Sequence, residues 1–183
     1  MHRNAIPAAV LATLCLGMTC QGTGVERAPP FAKLLEDRPA KVGDAAAMLG
    51  HRFARLDGGT IAAKELPYKL MVVYFFTTWA DAGILQAKAF SNLFERETNR
   101  GFKVLGVVLD LEKDASAGPF VKQFKIAFPV AVAGDDIPKG QSPFGTITRV
   151  PASYVFDEDG KLLGVWTGVI PAKEMDMLMD RHL

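Results

Sequence analysis

A chain of 183 residues, 49% of them hydrophobic, is long enough for one globular domain with its own core. Its 21 basic and 20 acidic residues leave a net charge of +1. That balance supplies no field to steer a nucleic acid or a strongly anionic membrane surface, so nucleic-acid binding is set aside.

The first residues read as a targeting segment. His2-Arg3 form a short basic region, and the apolar stretch Ile6 to Met18 is too short to span a bilayer. The expectation is an exported protein of the periplasm or cell envelope. Leu16-Gly17-Met18-Thr19-Cys20, followed by Gln21-Gly22-Thr23-Gly24, resembles a bacterial lipoprotein signal. That resemblance implies cleavage before Cys20, acylation of its sulfur and a membrane anchor. Gly17 and Thr19 depart from the usual pattern of such signals, and an ordinary cleaved signal or a retained anchor stays open beside lipidation. Both cysteines of the chain, Cys15 and Cys20, lie in this leader, so the remainder has no thiol and no internal disulfide. Residues 21–41 are polar, carry Ala28-Pro29-Pro30 and Arg38-Pro39, and read as a linker with one weakly apolar patch, Phe31 to Leu35. The expected layout is a signal over 1–20, a linker over 21–41 and a domain over 42–183.

Within the domain, short apolar alternations from Arg52 to Ile61 surround Asp57-Gly58-Gly59, the signature of a β-hairpin. Leu70 to Phe76 is a continuous apolar run rich in β-branched and aromatic residues, which predicts a strand buried on both faces. From Ile84 to Thr98 apolar residues recur at spacings of three and four, which is helical. Val104 to Leu109 reads as a second buried strand, and Ala115 to Lys125 as a helix with Phe120, Val121 and Phe124 on one face. This alternation of strand and helix implies a parallel core. An irregular segment follows. Ala152 to Phe156 and Leu162 to Thr167 then flank Asp157-Glu158-Asp159-Gly160, a hairpin turn, and Pro171 to Arg181 closes the chain as a helix with proline in its first turn.

The order of these elements resembles the thioredoxin-like fold, and more specifically the exported thiol-disulfide oxidoreductases of the TlpA/ResA type within the redoxin and alkyl-hydroperoxide-reductase (AhpC/TSA) group. The resemblance covers about residues 42–180. It is carried by Val42-Gly43-Asp44, Leu56-Asp57-Gly58, Phe75-Phe76-Thr77-Thr78-Trp79, Phe128-Pro129-Val130, Arg149-Val150-Pro151, and Val155-Phe156-Asp157 with Gly160-Lys161. It implies an α/β fold: a central mixed sheet flanked by helices, with a hairpin at its N-terminal side. It also implies a pair of cysteines after the tryptophan, the first attacking a substrate disulfide as a thiolate and the second resolving the product. Those positions fall here on Ala80 and Gly83, in the segment Trp79-Ala80-Asp81-Ala82-Gly83, and neither residue can attack, accept electrons or bind a metal. The peroxidase branch uses a Thr-x-x-Cys arrangement, and Thr77-Thr78-Trp79-Ala80 keeps the threonine without the sulfur.

Other residues offer little substitute chemistry. Asp81, beside the helix start, reads as a cap favoured by the helix dipole. Asp110, Glu112 and Asp114 could join it in acid–base work only if the fold brings them near. His51 and His182 are far apart in sequence, no metal-binding spacing occurs, and neither metal nor cofactor is expected. Arg149 reads as a solvated charge. By the resemblance, Pro151 holds the place of the cis-proline that leaves the preceding backbone free to pair with an extended peptide. Trp79 would flank that groove; the alternatives, that Pro151 only shapes a turn and Trp79 only packs, remain open. The first reading is therefore a redox-inactive protein that binds a protein or peptide partner through Trp79, Ala80, Asp81, Ala82, Gly83, Val150 and Pro151. An oxidoreductase or peroxidase acting through other residues or a partner thiol is the second, and a scaffold subunit of an envelope assembly the third.

Overall fold

The computed structural model describes residues 43–183, so the leader, the linker and Val42 lie outside the described residues. Among the described residues, four α-helices and seven strands make up the domain, and their order follows from which residues can be buried. Leu70–Phe76 (β3) is buried at every position. Because successive strand side chains point to opposite faces, it feeds two cores at once. Leu70, Val72, Tyr74 and Phe76 enter one cluster, whereas Met71, Val73 and Phe75 enter the other.

The strands form one sheet in the order β2-β1-β5-β4-β3-β6-β7. Here β1 is Arg52–Arg55, β2 Thr60–Ala62, β4 Phe102–Val108, β5 Val130–Val132, β6 Ala152–Asp157 and β7 Leu162–Thr167. β3 and β4 run parallel, joined by the helix α2 (Asp81–Glu97) as a crossover, while β6 runs antiparallel to β3 on its other side. Helices α2, α3 (Lys113–Phe124) and α4 (Ala172–His182) contribute Phe90, Phe120 and Leu178 to the first cluster. The short helix α1 (Ala45–Gly50) and Phe144 cover the opposite face with the second.

The hairpins and the parallel core stand as the sequence predicts, and Gly160, at φ +76°, supplies the left-handed residue that the turn between β6 and β7 needs. Other boundaries differ. Helix α2 begins at Asp81 rather than Ile84, because its first turn carries no apolar periodicity. Helix α3 ends at Phe124, where Lys125 adopts φ +50° and its N–H closes on the Val121 carbonyl. The segment read as irregular contains β5, which joins β4 to β1. Helix α1 had no signal: only Met48 and Leu49 of its six residues are buried, too few to set a period.

Two tyrosines finish the core with buried hydroxyls. Tyr154 donates to the Phe144 carbonyl at 2.9 Å and Tyr74 to the Gly83 carbonyl at 2.6 Å. Burial pushes the Tyr154 phenol up to about 12 and raises Tyr74 as well. The folded state thus prefers the protonated phenols, and their contribution is complete below the unfolded value of about 10 and is lost as pH climbs through the folded one. Urea denaturation across a pH series is expected to show stability falling above about pH 10, by about 1.4 kcal/mol per pH unit for each tyrosine. Tyr154→Phe removes its share of that slope up to about pH 12.

Candidate functional site

Four segments meet at one end of the sheet. β3 and β4 are parallel, with Phe76 opposite Val108, so the loops that leave them, residues 77–80 and 109–112, emerge together. Ala152, the first residue of β6, pairs with Phe75 and with Thr167 of β7, which brings residues 148–151 and 168–171 to the same end.

Specific hydrogen bonds tie these segments to one another. Asp110, 6% exposed, accepts from the Thr78 backbone N–H at 3.0 Å and from the Thr78 hydroxyl at 2.5 Å. The Gly168 N–H donates to the Pro151 carbonyl at 2.6 Å. Gln86, buried on α2, accepts from the Ile170 N–H at 2.7 Å, and the Trp166 indole of β7 donates to Glu174 of α4 at 2.6 Å. The peptide bond between Val150 and Pro151 is cis, as the resemblance implies.

The residues singled out from the sequence fall into distinct places. Trp79 is 74% exposed, so packing is not its role. Ala80 is half-buried and is the N-cap residue of α2; Asp81 and Ala82 are exposed. Asp81 is not a cap: it is the first helical residue, one position too late, and no side chain caps this helix. Its carboxylate retains only the favourable position at the positive end of the helix. Gly83 is not part of the surface either. It is buried, and a Cβ there would come within 3.1 Å of the Thr77 carbonyl oxygen. Val150 is half-buried, Pro151 buried and Arg149 exposed.

The fold brings Asp110 to the site, but as a clamp. Among the described residues its hydrogen bonds go to Thr78 alone, leaving no titratable partner for acid–base work. Glu112 is exposed, and Asp114 lies in the first turn of α3. Thr77 is buried and its hydroxyl has no partner among the described residues. His51 lies elsewhere, its Nε2 3.3 Å from Asp136, and His182 ends α4. Sequence reasoning missed Leu111, which is fully exposed next to the clamp; nothing in its surroundings on the chain marks it.

Comparison with known proteins agrees with this architecture. The family model described as the AhpC/TSA family matches residues 42–165. The thiol-disulfide oxidoreductases ResA of Bacillus thuringiensis (strain Al Hakam) and Bacillus anthracis are each 30% identical over 110 residues, 59% of this chain and 60% of the relative. The chain thus matches about 60% of the length of these relatives. Among solved structures, a thiol:disulfide interchange protein of the thioredoxin family from Chlorobium tepidum superposes with a TM-score of 0.61 at 24% identity, covering 72% of this chain and 92% of that one. A secreted Mycobacterium tuberculosis disulfide oxidoreductase superposes at 0.60 and 17% identity, covering 73% and 97%. The fold is thioredoxin-like.

The entrance to α2 makes a direct test of the retained frame. A thiol at Ala80 would lie at the N-cap of a 17-residue helix with uncapped amides, a setting that lowers thiol pKa from about 8.5. The alkylation rate of Ala80→Cys against pH is expected to report a value below about 8.5. Adding Gly83→Cys is expected to cost about 1–3 kcal/mol in urea denaturation, because the new Cβ crowds the Thr77 carbonyl.

Proposed function

The chain belongs to the AhpC/TSA family, and from that premise we propose that it is a redox-inactive thioredoxin-fold protein that binds a protein or peptide partner through its former dithiol surface. One observation carries this reading. At the positions of the dithiol stand the methyl of Ala80 and the bare backbone of Gly83, yet the loop around them is still clamped by Asp110 and still holds Trp79 out in solvent. Disulfide exchange needs a thiolate, and the sequence contains no cysteine after Cys20. Binding does not need one. An exported, envelope-located protein anchored through an acylated Cys20 is the setting we propose for it, on the strength of the leader sequence.

The family relatives favour a second reading, since those compared are described as thiol-disulfide oxidoreductases. In that reading the chain assists exchange carried out by a thiol of its partner. An insulin-reduction assay separates the two. The purified full chain is expected not to accelerate the reduction of insulin disulfides by a small dithiol above the uncatalysed rate, and reduction at the rate of an ordinary thioredoxin would overturn redox inactivity. Co-purification from membranes, with and without thiol blocking, tests the partner. Retention after blocking supports binding; loss of activity of the complex on blocking supports the assisted exchange. Replacing Trp79 and Asp81 together is expected to abolish retention, and unchanged retention would point to a scaffold whose contacts lie elsewhere.

A further inference from the structure

The charges of the domain are sorted in space. Helices α2 and α3 are joined near their ends: Ser91 of α2 accepts from the Ala127 N–H at 2.8 Å and donates to the Lys125 carbonyl at 3.4 Å, and the Lys88 ammonium lies 5.0 Å from the centre of the Phe124 ring. Lys88, Glu95 and Lys125 line one recess there, of about 340 Å³. Past the last turn of α2 a second recess, of about 450 Å³, is lined by Lys69, Arg100 and Lys103. Lys103 donates to the Thr98 carbonyl at 2.9 Å and lies 5.6 Å from the Phe94 ring of α2, while the Lys69 N–H donates to the Gly101 carbonyl at 2.9 Å. Ser91 and Phe94 are one helical turn apart, so the two recesses adjoin. Arg96 in the last turn of α2 and Lys122 in the last turn of α3 add two exposed cations.

These seven cations meet two carboxylates, Glu95 and Glu97, and Glu97 is already held by Arg100 at 2.8 Å and Arg96 at 3.9 Å. Among the described residues Lys69, Lys88, Lys103, Lys122 and Lys125 enter no ion pair. The negative ends of α2 and α3 offset about half a charge each, which leaves an excess of about four. Asp180 and Arg181, at the end of α4, balance each other. The turn Asp157 to Lys161, with three carboxylates and one cation, belongs to the β6 side of β3 and bounds the patch at Tyr68, which lines a recess with Glu158 and Asp159 as well as the one with Lys69. The net charge of +1 for the whole chain conceals this separation.

We infer that this patch rests on an anionic lipid surface. Of the exposed large apolar residues only Leu85 adjoins it, one turn before Lys88 and on the side of the loop end. A protein interface draws its affinity from such anchors, whereas a field of phosphate headgroups is held by charge alone. Helix α2, 17 residues and so about 25 Å long, starts two residues after Trp79 and runs toward the patch, so contact there leaves the loop end turned away from the bilayer and open to a partner. This rests on the envelope setting proposed above and adds how the domain stands in it. Retention of the native chain in membranes tests the anchor; the vesicle preference of a chain that cannot be acylated tests the patch.

The full chain carrying Cys20→Ser is sedimented with phosphatidylcholine vesicles and with vesicles containing phosphatidylglycerol. Each cation that reaches anionic headgroups is worth about fivefold in binding, so the phosphatidylglycerol vesicles are expected to be preferred at least about tenfold, and about 1 M salt, where the Debye length is about 3 Å, to abolish the preference. Lys88→Glu with Lys122→Glu is expected to remove it. Lys139→Glu with Lys173→Glu makes the same change of net charge at the loop end, on exposed residues, and is expected to keep it. Of the two tryptophans Trp166 is 4% exposed, so emission reports Trp79, which is expected to stay in water on the vesicles and show no blue shift. Equal binding to the two kinds of vesicle, an equal loss in both double variants, a blue shift of Trp79, or tighter binding to polyglutamate or duplex DNA than to the phosphatidylglycerol vesicles would overturn the proposal. The insulin assay does not enter these outcomes.

Discussion

A carboxylate taken out of water must find donors, and Asp110 finds them in the backbone N–H and the hydroxyl of one residue, Thr78. Hydrogen bonds to a charged group are worth about 1.5–3 kcal/mol each, so the pair fixes the loop after β3 to the loop after β4. From below, the Tyr74 hydroxyl holds the Gly83 carbonyl and sets where α2 starts. The placing of Trp79, Asp81, Leu111 and Glu112 depends on these two contacts. Neither contact involves a sulfur atom, so the shape of this entrance is set by oxygen and nitrogen groups alone.

The cores are equally indifferent to the dithiol positions. Neither Ala80 nor Gly83 belongs to the two buried clusters, which are built on alternate residues of β3 and closed by helices on either face. The identity of the residues at those two positions therefore contributes almost nothing to the packing of either cluster. Gly83 even suits its place, since a Cβ would crowd the Thr77 carbonyl.

Much of this was legible in the sequence where a physical signal is long or strongly marked. The uninterrupted run of β3 announced a strand with no solvent face, and Asp159-Gly160 announced a turn that takes a positive φ. Helix α1 and β5 were not legible: six and three residues are too few to establish a period. The misreading of Asp81 as a cap came from a helix boundary, where one residue changes a cap into a first helical position. The Asp110 clamp spans 32 positions along the chain, and no local pattern encodes a contact at that separation. Leu111 escaped for the same reason, because only the contact between Asp110 and Thr78 brings its loop to that of Trp79.

Sheet order turns these local facts into a surface with direction. β4 and β6 lie on opposite sides of β3, so whatever their loops carry is delivered to opposite sides of Trp79. The β4 side delivers an exposed leucine and a carboxylate; the β6 side delivers an arginine and a cis-proline whose carbonyl is already engaged by the Gly168 N–H. Leu111 and Trp79 are both exposed to water, and burial is worth about 1.5–3 kcal/mol per such side chain. Scattered singly, such residues need no explanation; here the Asp110–Thr78 contact brings the loops that carry them to the same end of the sheet. The clamp that fixes the loop after β3 is thus also what sets the loops of Trp79 and Leu111 against each other.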